Sequence, residues 1–120
     1  MLIECKNDQE KVAMGLLSYL SDFKNLANLK DEINLNKTST EFQLYLFRYE
    51  SANFIGVLGT QFDQNFVIVR YISFAPDFRL EKYQAQAIRE LAANNPTKKI
   101  TAVPEYAYLT KYLKTNNNYE

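Results

Sequence analysis

The sequence predicts an α/β domain of the α+β kind: one mixed, mostly antiparallel sheet with helices on both faces, in the order β-α-α-β-β-β-α-β-α. Three observations predict it. Three β-rich runs follow one another from Phe42 to Phe74 with only short turns between them. Stretches with apolar residues at helical spacing lie before and after those runs. In the first run Phe42, Leu44 and Leu46 share one face while Gln43, Tyr45 and Phe47 share the other, so aromatic surface stands on both sides of the sheet and both sides need cover.

"LIEC" opens the chain as a short strand. In "NDQEKVAMGLLSYL", Asn7 stands three residues before Glu10, the spacing of a capping box, and Val12, Leu16, Tyr19 and Leu20 recur as a helix stripe. Gly15 costs that helix some propensity. "SDFKNLANLKDEINL" restarts the pattern behind Ser21 or Asp22 as cap, with Phe23, Leu26, Leu29 and Ile33 at three- and four-residue steps. "NKTSTE" reads as a polar loop. The runs "FQLYLFRYE", "NFIGVLGTQ" and "FVIVRYISF" are three antiparallel strands, joined by a Ser51-Ala52 turn and by "FDQN". From Arg79 to Asn94 the residues Leu80, Tyr83, Ala87, Ile88 and Leu91 form a helical stripe closed by Pro96, with Asp77 after Pro76 available as an earlier cap. "KKITAV" is a fifth strand stopped by Pro104. "EYAYLTKYLK" resumes helical spacing, Tyr106, Leu109 and Leu113 on one side, Tyr108 and Tyr112 on another. Residues 115–120 read as a frayed tail of a single domain spanning 1–120.

Composition removes whole classes of chemistry. Of 120 residues none is histidine, which takes away the usual general base, the usual zinc ligand and the Ser/His or Cys/His pairing. Cys5 is the sole cysteine, so neither an internal disulfide nor a thiolate metal cluster can form, and no metal site is expected; in the first strand it reads as a small apolar residue. Acidic and basic residues balance at 14 each, which gives no nucleic-acid footprint. No apolar run reaches bilayer length, and charges stand where a signal peptide needs its apolar segment, so no membrane association and a cytoplasmic location are expected.

Four stretches carry a resemblance to a known family: "EKVAMGLLSYL", "FIGVLG", "ISFAPDFR" and "VPEYAYLTKYLK". With the order of elements, they make the chain resemble the GNAT-type N-acetyltransferases over nearly its whole length, and in particular short GNAT-like proteins of bacterial riboflavin synthesis. The resemblance implies acetyl-CoA as cofactor, its pantetheine arm paired with strand backbone at Ile72, Ser73 and Phe74 in the manner of an added strand. It implies a pyrophosphate at the following turn, over Arg79, Leu80, Glu81, Lys82, Tyr83 and Gln84, held by backbone N–H groups at a helix N-terminus. Arg79 fills the first position of the family signature, whereas Lys82 and Gln84 stand where the family has glycines. A side chain forced into the left-handed conformation there costs roughly 1–2 kcal/mol, so weakened CoA binding is expected, with Arg79 and Lys82 offering charge in place of backbone donors.

The family's tyrosine, which would protonate the departing thiolate, matches Tyr112, and Tyr108 lies one helical turn earlier on the same face. No carboxylate pair marks a general base; Asp63 and Glu50 read as solvated turn charges. Asn116, Asn117 and Asn118 stand where the family continues into further strands, so one wall of the usual cleft is expected to be missing and the fifth strand to leave an edge that Lys98, Lys99 or a homodimer partner must manage. Two functions are open: transfer of acetyl to an unidentified small amine, or a catalytically inactive binding module on the same scaffold.

Overall fold

The computed structural model describes residues 1–50 and 53–114. The Ser51-Ala52 turn and residues 115–120, with the three asparagines, lie outside the described residues. Five strands, β1 (Leu2–Glu4), β2 (Phe42–Arg48), β3 (Phe54–Phe62), β4 (Phe66–Phe74) and β5 (Lys99–Ala102), form one sheet in sequence order. The first four pair antiparallel and β5 joins β4 in parallel. A parallel pair needs a crossover, which helix α3 (Glu81–Asn94) supplies.

Helices cover both faces. On one, Ala13, Leu16 and Leu17 of α1 (Glu10–Leu17) and Leu29 and Ile33 of α2 (Leu26–Thr38) pack on Leu44, Leu46 and Tyr71. On the other, Tyr83, Ala87, Ile88 and Leu91 of α3 pack on Tyr45, Phe47, Ile72 and Phe74. The alternation along β2 thus separates the two cores as its sequence predicts.

The helix ends differ from the sequence expectation, each for a local reason. Lys6 and Gln9, not Asn7 and Glu10, close the first turn: Lys6 N–H donates to Gln9 Oε1 at 2.9 Å and Gln9 N–H to Lys6 O at 2.9 Å, and Asn7–Gln9 is a 3₁₀ turn. Helix α1 then presents Ala13, Leu16 and Leu17 to the sheet, leaving Val12 and Tyr19 exposed at 42% and 44%. Asn25 caps α2 by accepting from the N–H groups of Ala27 and Asn28, so Ser21–Phe23 is a separate 3₁₀ turn and Leu26 faces solvent. Helix α2 runs on through Asn36–Thr38, read above as loop, with the Asn36 and Thr38 side chains donating back to the carbonyls of Glu32 and Asn34.

The last segment, Pro104–Leu113, is a 3₁₀ helix and not an α-helix. Residues three apart eclipse in that geometry, so Tyr106, Leu109 and Tyr112 form one row, with Leu109 and Tyr112 buried. Tyr108 and Tyr112 therefore do not share a face, and Tyr108 is 45% exposed.

Two glycines of β3 shape the sheet by what they lack. A Cβ at Gly56 would meet the Phe74 ring at 2.6 Å and one at Gly59 the Tyr71 ring at 2.2 Å. The Phe74 and Tyr71 rings of β4 approach β3 this closely only because those positions are bare.

Candidate active site on the open edge of β4

Strand β4 has two halves. Phe66–Val69 pair with Lys99–Ala102, and the Val103 N–H donates to Val69 O at 3.0 Å. Pro104 then turns the chain away, having no N–H to continue the ladder. On the β3 side the register slips: Gly59 faces Tyr71 and Thr60 faces Val69, so Arg70 is the extra residue of a bulge. Beyond the bulge, Arg70–Phe74 have no strand on their β5 side among the described residues.

Two clefts open along that edge, each of about 290 Å³. The first lies between Tyr19 and Leu20 after α1, the strand residues Ile72, Ser73 and Phe74, and Arg79 and Gln84 at the tip of α3. Five of the sequence-predicted cofactor residues thus share one groove. Ser73 is buried, its hydroxyl donating to Leu16 O at 2.9 Å, and Ile72 and Phe74 point into the α3 core, so backbone is what the strand offers there. Arg79 closes the groove's end: its Nε–H donates to Phe74 O at 3.0 Å and its guanidinium lies 5.2 Å from the Tyr19 ring centroid.

The tip of α3 corrects the expected turn. Asp77 sits exposed in a 3₁₀ turn, Pro76–Phe78, and caps nothing; α3 begins at Glu81 behind Leu80, with no side-chain cap. The only positive φ among described non-glycine residues is at Glu50, so Lys82 and Gln84 sit without strain where glycines were expected. Tyr83 and Gln84 N–H groups bond to Leu80 O, while those of Glu81 and Lys82 precede the first intrahelical bond and remain available to an anion. Leu80, Glu81 and Lys82 side chains are exposed, and the Lys82 ammonium leans over the rings of Tyr49 and Tyr83. Tyr83 itself is buried among Tyr49, Phe74 and Phe78, so it serves the core.

Tyr108, one 3₁₀ position before the buried Leu109, is 45% exposed and lines neither cleft; partial burial and the neighbouring Tyr112 raise its hydroxyl pKa above the ordinary value. Tyr112 is 7% exposed in the α3 core, and its carbonyl accepts from Arg89. Of the other candidates, Asp63 Oδ1 is occupied by the N–H groups of Asn65 and Phe66, and Cys5 has a thiol pKa pushed up to about 11 by burial and by Glu10 and Asp8. Such a thiol stays protonated at neutral pH.

The second cleft was not read from the sequence. It adjoins the first at Leu20 and is lined by Asp22, Phe23, Arg70, Tyr71, Glu105 and Tyr106, among others. Behind it Glu32 of α2, 6% exposed, receives both Arg70 Nη1 at 2.6 Å and Nη2 at 3.0 Å, together with the Tyr71 hydroxyl and Asn36 Nδ2. Burial would push the Glu32 carboxyl up, but the hydrogen bonds from Arg70 and Tyr71 and the Arg70 charge hold it below the usual range. Signals existed: Glu32 shares the helix face of Leu29 and Ile33, and Arg70 interrupts an apolar strand.

The sheet thus parts between its fourth and fifth strands, and a groove leads from the tip of α3 to an aromatic cleft. No protein-family profile matches the chain. An uncharacterized N-acetyltransferase in the lysA 3' region of Bacillus methanolicus is 32% identical over 95 residues, covering 76% of this chain and 78% of that protein. The chain belongs to the GNAT-type N-acetyltransferase family. Among solved structures, the aminoglycoside acetyltransferase AAC(6')-Iy, in complex with a bisubstrate analog, superposes with TM-score 0.69 at 13% identity, covering 92% of this chain and 84% of that one. Spermidine N-acetyltransferase from Vibrio cholerae, in complex with CoA and spermine, gives TM-score 0.66 at 13% identity, covering 92% and 77%. These likenesses show the fold.

Proposed function

We propose that the protein transfers an acetyl group from acetyl-CoA to a small amine. The observation that carries this reading is the pair of adjoining clefts on the free half of β4, one ending at an uncapped helix tip and the other lined by aromatic and charged groups. The residues present fit the cofactor: free strand edge for an amide-bearing arm, and at the helix tip two available N–H groups with Arg79 for a pyrophosphate. Acetyl-CoA supplies the acyl group in activated thioester form. The chain's own residues orient it on Ile72–Phe74, admit the amine beside Leu20, and place the Tyr108 hydroxyl as proton source for the departing thiolate. A tyrosine hydroxyl carries its proton at neutral pH and can give it to a thiolate as that charge develops. Tyr112 is the alternative acid that the family resemblance implies.

The test is release of free thiol from acetyl-CoA across a panel of amines. Resemblance to RibT, a GNAT-like protein among those of bacterial riboflavin synthesis, puts amine intermediates of that pathway on the panel. Tyr108→Phe is expected to lower kcat by about a hundredfold with little change in KM for acetyl-CoA, whereas Tyr112→Phe changes kcat by less. The reverse ranking would return the role to Tyr112. Arg79→Ala is expected to weaken acetyl-CoA binding about tenfold, read by calorimetry, since it removes a charge and frees the Phe74 carbonyl.

One feature favours a second reading, an inactive binding module: the Glu81 carboxylate sits in the first turn of α3, where it competes with a phosphate. Cofactor binding without thiol release on any amine would select it. The outer edge of β5 is where a homodimer would form, and a cytoplasmic location accords with the described helices, none of which is long and apolar enough to cross a membrane.

A further inference from the structure

From the second cleft we infer that Arg70 is a specificity residue, and that the preferred acceptor is an amine whose skeleton also bears a carboxylate, an amino-acid-like zwitterion. The inference rests on reading that cleft as the acceptor site. A guanidinium has five N–H donors, and the fork to Glu32 uses two. The Arg70 side chain keeps 21% exposure and lines the cleft, so donors remain for a ligand. Its plane is fixed from three sides: Glu32 behind, the Phe42 ring centroid at 4.8 Å and the Tyr71 ring centroid at 5.3 Å. A guanidinium already held loses little side-chain freedom when it clamps a carboxylate.

The opposite charge lies in the same cavity. Asp22 and Glu105 line it with Tyr106, whose hydroxyl pKa is pushed up to about 12, chiefly by burial and then by Glu105, Tyr108 and Asp22. Carboxylates near Tyr106 suit an ammonium group, and Phe23, Tyr71 and Tyr106 give apolar wall to the carbon skeleton between the two charges. A diamine would leave the fixed Arg70 facing a second cation. Glu32 is then a positioning residue, acting through the plane it imposes on Arg70.

Matched pairs that differ by the carboxylate test this by titration calorimetry: L-lysine against cadaverine, and L-phenylalanine against phenethylamine, each with the full-length protein in the presence of CoA. The amino-acid members are expected to bind about tenfold or more tightly, the scale of one charge-assisted clamp. Removing Arg70 alone would orphan a buried carboxylate, so the variant is Arg70→Gln with Glu32→Gln. In that double variant the preference is expected to vanish while acetyl-CoA affinity holds. Equal or tighter binding of cadaverine and phenethylamine by the wild-type protein would overturn the inference. So would a preference that survives the double change. Failure of acetyl-CoA itself to bind would instead sink the proposed transferase activity, which the same instrument reads separately.

Discussion

Glu32→Ala is expected to destabilise the fold by about 3–5 kcal/mol, which at this chain length lowers the melting temperature by roughly 10–20 °C. The size follows from what the change leaves behind. Arg70 would keep a charge with 21% exposure and no partner carboxylate, and the buried Tyr71 hydroxyl would lose its acceptor. Removing one member of a buried pair costs far more than the pair contributes against an apolar replacement, because the survivor stays desolvated. The same carboxylate gives a pH signature. Its pKa in the folded protein lies below the ordinary 4.5, so its contribution is complete above that value and is lost as the pH falls through the folded one. Urea unfolding of the wild type should therefore show stability dropping on the acid side, and Glu32→Gln should lack that component. A flat difference between the two across pH 6 to 3 would remove Glu32 from the account.

Gly59→Ala is expected to cost about 3 kcal/mol, the upper end for overpacking. Its new Cβ would lie 2.2 Å from the Tyr71 ring, 5% exposed, where ordinary contact needs well over 3 Å. A free ring could swing aside. This one is tied by its hydroxyl to Glu32 and edged by Phe23 at 5.4 Å between centroids, so the strand must move. Because the clash and the tie share one ring, the effects should not add: in a Tyr71→Leu background Gly59→Ala should cost much less. Equal costs in both backgrounds, from melting of the four proteins, would place the strain elsewhere.

The fold was largely legible because its signals are local. Alternation in "FQLYLFR" assigns Leu44 and Leu46 to one core and Tyr45 and Phe47 to the other, and the structure keeps that division. Helix ends were less legible, since Lys6, an unpromising cap by type, acts through its backbone, and Asn25 outcompetes Ser21 and Asp22 by where the chain turns. The 3₁₀ form of Pro104–Leu113 could not be read from apolar spacing alone, because Tyr106, Leu109 and Tyr112 suit a period of three while Leu109 and Leu113 suit an α-helix. In the candidate site, the groove proposed for the cofactor draws five of its lining residues from one contiguous stretch, Ile72 to Gln84, which is why a sequence reading could group them. The cleft proposed for the acceptor unites Asp22, Arg70 and Glu105 with Glu32 behind them, and only the bulge at Arg70 and the parting of β4 from β5 bring these together.

The central claim is that the groove between Leu20, Ile72–Phe74 and the α3 tip holds acetyl-CoA. Thermal unfolding with and without that ligand tests it most directly. At a hundredfold excess over Kd the fold should gain about 2.7 kcal/mol, a rise of several degrees in Tm that the tenfold weaker binding of Arg79→Ala cuts to about half at the same ligand concentration. No rise at millimolar acetyl-CoA, or an equal rise in wild type and Arg79→Ala, would contradict it.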